Sequence, residues 1–413
     1  MKARLTLHTS ESSVPQTPTL NEAIRAETRR ISAEQIKLRR HLHQYPEVSM
    51  EEYLTTETLT KALQKLGVRF CPVQTPTGLL VELTGHKPGR TVAVRTDIDA
   101  LPISEQTGLP FASKNTGCMH ACGHDMHMAT VWGTVAVLSR LRDRFEGTVR
   151  FVFQPAEEMP PGGARPMIAS GALNQVAAIF GLHNDPHLAT GRISLRDGAT
   201  MASVTDFDLV VRGKSAHAAR PHTGVDAIVT AAEVVQSLQT VVSRESDPTK
   251  PVAITFGKIS GGVARNVIAG GVRLTGTARS LSVATARNLA KSIGRVAKHV
   301  ARARGAEVGM QLIADYPVLY NDARVNRVLA RNMERLFGPG KIDTTPQMLG
   351  GEDFACYLEV VPGAMFRLGV MNKKIKADKP WHSPEFIADE EALPIGTALL
   401  AASVTDVLAG GLA

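Results

Sequence analysis

Apolar and charged residues recur at helical spacing over residues 24–42 and again over 51–66, so two amphipathic helices are expected before any strand. Short apolar runs follow at 91–95, 149–154, 177–181 and 364–368, separated by helical or irregular stretches. Runs of that length alternating with helices describe an α/β sheet. Between about residues 201 and 316 the pattern changes. Residues 206–211 alternate, 225–243 are helical, 252–259 and 272–279 are extended, 284–303 are helical, and 309–314 close the series. Strand, helix, strand, strand, helix, strand is the ferredoxin-like order. Because α/β character resumes after Pro317, this stretch reads as a unit inserted into the first. Residues 1–20 are rich in Ser, Thr and Pro with little periodicity and read as a disordered tail, which leaves 21–200 and 317–413 as the two parts of the main unit.

A length of 413 residues suits two or three domains, and one insertion satisfies it. The apolar fraction of 43% and charged fraction of 21% are those of an ordinary globular enzyme. No stretch approaches the roughly 20 apolar residues needed to cross a bilayer, and residues 1–20 lack a basic start followed by an apolar segment. A cytoplasmic protein without membrane attachment is expected. Cys71, Cys118, Cys122 and Cys356 are too few and too scattered for a disulfide framework, which leaves reduced thiols or a metal ligand. The net charge of +8 comes from dispersed Lys and Arg, and aromatics make up only 5%, so a nucleic-acid partner is not expected.

Polar residues collect just past the apolar runs: Asp97 and Asp99, Glu157 and Glu158, His183 and, after a longer loop, His382. Open α/β sheets place their ligands there. The densest cluster is Met119-His120-Ala121-Cys122-Gly123-His124-Asp125-Met126-His127, at an expected loop-to-helix junction. Taken alone, a helix start with Asp125 near its N-terminus would account for it. The adjacent carboxylates of Gln154-Pro155-Ala156-Glu157-Glu158 add weight, because crowded carboxylates are costly unless something positive holds them. A thiolate, three imidazoles and a carboxylate supply enough donors for two first-row divalent ions, given one bridging ligand and a bridging water. Such donors favour zinc, manganese, cobalt or nickel over magnesium. A remaining carboxylate could then take a proton from water.

Several segments together resemble one family. They are Arg40-His41-Leu42-His43-Gln44-Tyr45-Pro46-Glu47, Arg95-Thr96-Asp97-Ile98-Asp99-Ala100-Leu101-Pro102, residues 120–127 and 153–158, Gly181-Leu182-His183, Ser215-Ala216-His217 and His382-Ser383-Pro384. In order and spacing, from about residue 36 to 400, they are similar to the amidohydrolase branch of the two-metal aminoacylase and carboxypeptidase family, which includes hippurate hydrolases and indole-acetyl-amino-acid hydrolases. The resemblance implies an α/β catalytic domain with an inserted ferredoxin-like βαββαβ lid and dimerisation domain. It also implies cleavage of N-acyl amino acids of acetyl, benzoyl or indole-acetyl type, and a homodimer through the insert. By residue, it implies that Cys122, His124, Glu158, His183 and His382 bind two divalent metal ions with Cys122 bridging, and that Glu157 is the general base. Asp99 would orient a metal ligand. His217 would bind the scissile carbonyl oxygen. Asn266 and Arg279 would hold the substrate's free carboxylate, with His222 a further candidate nearby.

The chain departs from the family pattern at Ala269, where proline is usual, at Trp381, where leucine is common, and at Met159-Pro160-Pro161, which replaces a shorter link. None removes a ligand; Trp381 and the link bear on the pocket. Gly350-Gly351-Glu352-Asp353-Phe354 also resembles a family segment near the site, in a supporting role. Two alternatives remain at this point, a dipeptidase or carboxypeptidase of the same family and a catalytically silent metal-binding relative. Retention of Glu157 and every implied ligand argues against the second.

Overall fold

The computed structural model describes residues 18–412, so the expected tail lies outside the described residues apart from residues 18–20. Thr19 opens the first helix with a capping box: its hydroxyl accepts from the Glu22 amide at 3.4 Å, while the Glu22 carboxylate accepts from the Thr19 amide at 2.8 Å. The main unit then runs through α1 (Leu20–Gln44), α2 (Tyr53–Gln64), β1 (Arg69–Cys71), β2 (Leu79–Thr84), β3 (Thr91–Asp97), α3 (His124–Arg140), β4 (Thr148–Gln154), α4 (Ala164–Ala169), β5 (Val176–Ala189), β6 (Ile193–Leu195) and β7 (Gly198–Met201). The second unit comprises β8 (Ser203–Arg212), α5 (Ala227–Thr240), β9 (Val252–Gly261), β10 (Gly271–Ser280), α6 (Val283–Ala303) and β11 (Glu307–Tyr316). The chain returns to the main unit with β12 (Leu319–Asn321), α7 (Ala323–Phe337), β13 (Ile342–Thr344), α8 (Ala355–Leu358), β14 (Gly363–Met371) and α9 (Leu393–Leu408).

The main sheet has eight strands in the order β1-β2-β4-β3-β5-β14-β6-β13. Its centre, β4-β3-β5-β14, is parallel, as crossover helices require. Helices α1, α3 and α9 pack together on one face. Helix α3 is buried on nearly every side, which is why its sequence carries no apolar stripe. The same holds for α9, and it departs from the expectation that no stretch would be apolar enough to cross a bilayer: among the described residues, Glu390–Leu408 is the one helical stretch that meets that length and composition, and most of it is buried as in a core helix. The opposite face is covered by α4 and α8, with Met167, Phe354 and Tyr357 against Val152 and Ile179 of the sheet.

In the second unit the order βαββαβ gives an antiparallel sheet, β11-β8-β10-β9. Phe207, Leu209 and Val211, alternating on β8, pack with Val234 and Leu238 of α5 and with Leu289, Ile293, Ala297 and Ala301 of α6. The fold class is thus α/β with a ferredoxin-like insert. One expectation is corrected: His183 does not follow its strand but lies inside β5, which continues to Ala189 because β14 keeps pairing with it and sets Arg367 opposite His183.

Candidate metal centre

The site is assembled at the carboxyl ends of the central strands, and its order begins with buried carboxylates that have no access to solvent. Asp97, the last residue of β3, accepts from Arg95 Nη1 at 2.8 Å and is bonded to His127 Nδ1 at 2.7 Å. Asp99 accepts from the Ser49 hydroxyl at 2.7 Å and from the Glu158 amide at 2.9 Å, so it fixes the backbone of the second glutamate. The ring of His124 lies against the same residue, with Nδ1 2.9 Å from the Asp99 carbonyl oxygen. A carbonyl can only accept, so Nδ1 carries the proton and Nε2 is left as a lone-pair donor.

The same logic applies to His183, whose Nδ1 donates to the Asn184 carbonyl at 2.7 Å and whose Nε2 stands 3.6 Å from Cys122 Sγ. His127 is different. Both its nitrogens are engaged, Nδ1 with Asp97 and Nε2 as acceptor from the Asn184 amide at 2.9 Å. Asn184 also donates to the Cys122 carbonyl at 2.6 Å, locking the loop that carries the thiol. Gly123 makes this possible: its φ is 82°, and a Cβ there would come within 2.5 Å of the Asn184 amide nitrogen.

Several donor atoms remain unsatisfied and converge. His124 Nε2 and Glu158 Oε1 are buried without hydrogen-bond partners and lie 3.9 Å apart, and His382 Nε2 is 3.4 Å from the same Glu158 oxygen. The ligand atoms of Cys122, His124 and His183 form one compact set, those of Cys122, Glu158 and His382 another, each within 4.8 Å. Cys122 belongs to both, as a bridging ligand must. Buried polar atoms in native folds are nearly always satisfied, so this arrangement of orphans with soft and borderline donors fits a pair of divalent cations. Burial and the adjacent Glu158 push the Cys122 thiol far above its ordinary range, and burial pushes His183 down. Two non-glycine residues here have left-handed backbone, Ala156 at φ 53° and His382 at φ 62°. Their strain is held by the Ala156 amide donating to Glu52 at 2.8 Å and the His382 amide donating to the Ala121 carbonyl at 2.9 Å.

Glu157 stands between two groups: its carboxylate lies within 4.8 Å of His124 and Glu158 on one side and of Glu352 and Asp353 on the other. Burial, then crowding by Glu352, Glu158 and Asp353, raises its carboxyl well above the usual range. Behind the acids sits Arg95, fully buried, 3.1 Å from Glu352 and 2.8 Å from Asp353. A carboxylate with raised proton affinity beside a metal-type donor set is suited to taking and returning a proton.

A cavity of about 500 Å³ joins these groups, lined by Cys122, Glu157, Glu158, His183 and His382 from the main unit and by Arg279 from β10. The structure therefore brings together all five implied ligands, Glu157, Asp99 and Arg279. It does not bring His217, His222 or Asn266 into the cavity: all three are exposed on the insert. There the Ala218 amide bonds to the Asn266 carbonyl at 3.0 Å and the Ile268 amide to the Ala216 carbonyl at 2.8 Å, which holds the two loops against each other. Sequence reasoning missed Arg95 and Arg367, both in the site. A single basic residue in an otherwise apolar strand was the available signal in each case.

Residues 93–406 match the sequence profile described as peptidase family M20/M25/M40. The chain belongs to this family. This M20 chain is 39% identical over 358 residues to N-acetyl-L-cysteine deacetylase of Bacillus subtilis, covering 87% of this chain and 84% of that protein. It is 36% identical over 388 residues to thermostable carboxypeptidase 1 of Saccharolobus solfataricus, covering 92% and 98%. The crystal structure of the YxeP protein of B. subtilis, described as a dinuclear metal-binding M20 peptidase, superposes with a TM-score of 0.80 at 35% identity, covering 92% of this chain and 99% of that one.

Proposed function

We propose that this M20 chain hydrolyses the amide bond of N-acyl amino acids, releasing a carboxylic acid and a free amino acid. The observation that carries the reading is the convergence of unsatisfied donor atoms on two sets that share Cys122, with Glu157 beside them in the cavity that Arg279 also lines. Cys122, His124, Glu158, His183 and His382 would hold two divalent ions of the zinc, manganese, cobalt or nickel type. When bound, such ions acidify water and polarise an amide carbonyl. Glu157 takes the proton of the attacking water and hands it to the departing amine. Asp99 keeps the His124 ring in its donor tautomer. Arg279 offers a planar fork to the substrate's α-carboxylate; in the structure its Nε donates to the Thr277 hydroxyl at 3.0 Å, and no carboxylate pairs with it among the described residues.

The relationship to the S. solfataricus carboxypeptidase favours one second reading, in which the acyl group is itself an aminoacyl residue. Both readings use the same hydrolytic groups and differ in what lies beyond the carbonyl. The deciding experiment incubates metal-loaded protein with acetyl, benzoyl and indole-acetyl amino acids and with blocked dipeptides. We expect release of free amino acid from the acyl series at higher kcat/KM. Turnover confined to peptides would overturn the first reading in favour of the second. The reading also includes a homodimer through the insert, whose edge strand β9 leaves Ile259 exposed.

A further inference from the structure

The cavity contains a second guanidinium whose partner is missing. Arg367, on β14 directly opposite His183, is 4% exposed, in a strand whose other buried positions are apolar or glycine. Its Nη2 reaches only the thioether sulfurs of Met201 and Met348, each at 3.4 Å. Thioethers are weak acceptors, and among the described residues no carboxylate or carbonyl oxygen bonds to this side chain. The two acids that act most on its charge, Asp185 and Glu352, do so without a hydrogen bond or ion pair to it. Asp185 accepts from the His187 amide at 2.9 Å, and Glu352 pairs with Arg95 at 3.1 Å.

Trp381 forms the platform beneath it. The guanidinium carbon lies 5.1 Å from the indole centroid, and the indole N–H is anchored on the Asn184 carbonyl and side-chain oxygens, both at 3.2 Å. A buried cation with no anion in direct contact is expensive, and an apolar residue could fill the same place in β14. Both Arg367 and Arg279 line the cavity, so a substrate with a single carboxylate leaves one fork empty.

We infer that Arg367 is a specificity-determining residue that binds a second carboxylate on the acyl amino acid, carried either by the amino-acid side chain or by the acyl group. The inference rests on the acyl-amino-acid reading above. It narrows the substrate class to dianionic compounds, held by Arg279 at the α-carboxylate and by Arg367 at the other. Trp381 and the two methionines give that second subsite an apolar wall, in which a charge-assisted, bidentate contact gains most.

The test measures kcat/KM of metal-loaded protein for two matched pairs: N-acetyl-L-glutamate against N-acetyl-L-glutamine, and N-succinyl-L-alanine against N-butanoyl-L-alanine. In the wild-type protein at least one dianion should be preferred about 10-fold or more, and the pair that shows it locates the second carboxylate. In Arg367→Met, at matched metal content, that preference should fall by about 10- to 100-fold, and Arg367→Lys should restore part of it. Wild-type turnover of all four with no preference for either dianion overturns this inference and leaves the acyl-amino-acid reading standing. An unchanged preference in a folded Arg367→Met protein does the same. Turnover of none of the four, nor of any other acyl amino acid, overturns both.

Discussion

Glu157 and its neighbours show how one residue's chemistry is set by what surrounds it. Its carboxyl is crowded by Glu352, Glu158 and Asp353, and the buried Arg95 behind Glu352 and Asp353 keeps the group of acids tolerable. Glu157→Gln removes the proton acceptor while keeping the shape. Turnover should fall by about 10²- to 10⁴-fold with metal content unchanged. Residual activity within a few-fold of wild type in a metal-replete mutant would show that another group carries the proton. At this scale the sequence was informative wherever a residue's chemistry is unusual for its position. Cys122, His124, Glu158, His183 and His382 stood out by type, and the fold brings them together. What sequence could not provide was the status of His127. It looks as much a ligand as His124, and only the bonds to Asp97 and Asn184 show both its nitrogens to be in use.

Among elements, the attachment of α1 to α3 decides whether the metal-binding loop is held. Arg39 of α1 forms an ion pair with Asp125 at the start of α3, Nε 2.7 Å from the carboxylate, with both side chains buried, and His43 adds a bond of 2.8 Å to the same carboxylate. Burial pushes the Asp125 carboxyl up, but Arg39 and His43 outweigh it and hold the group well below the ordinary carboxylate range. A carboxyl depressed in the folded state contributes stability that is complete above its unfolded value and is lost as pH falls toward its folded value. Arg39→Leu strands the buried carboxylate and should cost about 3–5 kcal/mol at pH 7. The deficit should shrink below about pH 5 as Asp125 takes up a proton. Denaturant melts of both proteins at pH 7 and pH 4 check this; a deficit that grows on acidification would contradict the assignment. The amphipathic spacing of α1 was legible, whereas short strands such as β1, β6 and β13 were not. Three residues carry too little periodicity to stand out, and those strands owe their existence to the sheet they join.

For the whole molecule, the two units have separate cores, one around α1, α3 and α9 and one between the insert's sheet and α5 and α6. The insert was readable because its alternating strands and its two helices follow a known order. The placing of its loops was not. His217 and Asn266 match the family's motifs and His222 is a further candidate beside them, yet all three lie exposed on the insert and outside the cavity lining. Motif matching gives residue type and order, but where a loop sits depends on how the units pack. The proposed dimer through the insert predicts a sedimenting species of twice the chain mass at micromolar concentration. Substituting Ile259 on the exposed edge strand with Lys should shift it toward monomer. A wild-type protein that stays monomeric at that concentration would remove the dimer from the account.

The whole account depends on a thiol, three imidazoles and a carboxylate from distant segments holding a pair of cations. Its most direct test is the metal content of protein loaded with manganese or zinc and freed of loosely bound ions, measured by elemental mass spectrometry for wild type and Cys122→Ala. The account predicts two ions per wild-type chain and fewer than one in the mutant. Wild-type protein without bound ions, or a mutant that keeps both, would contradict it.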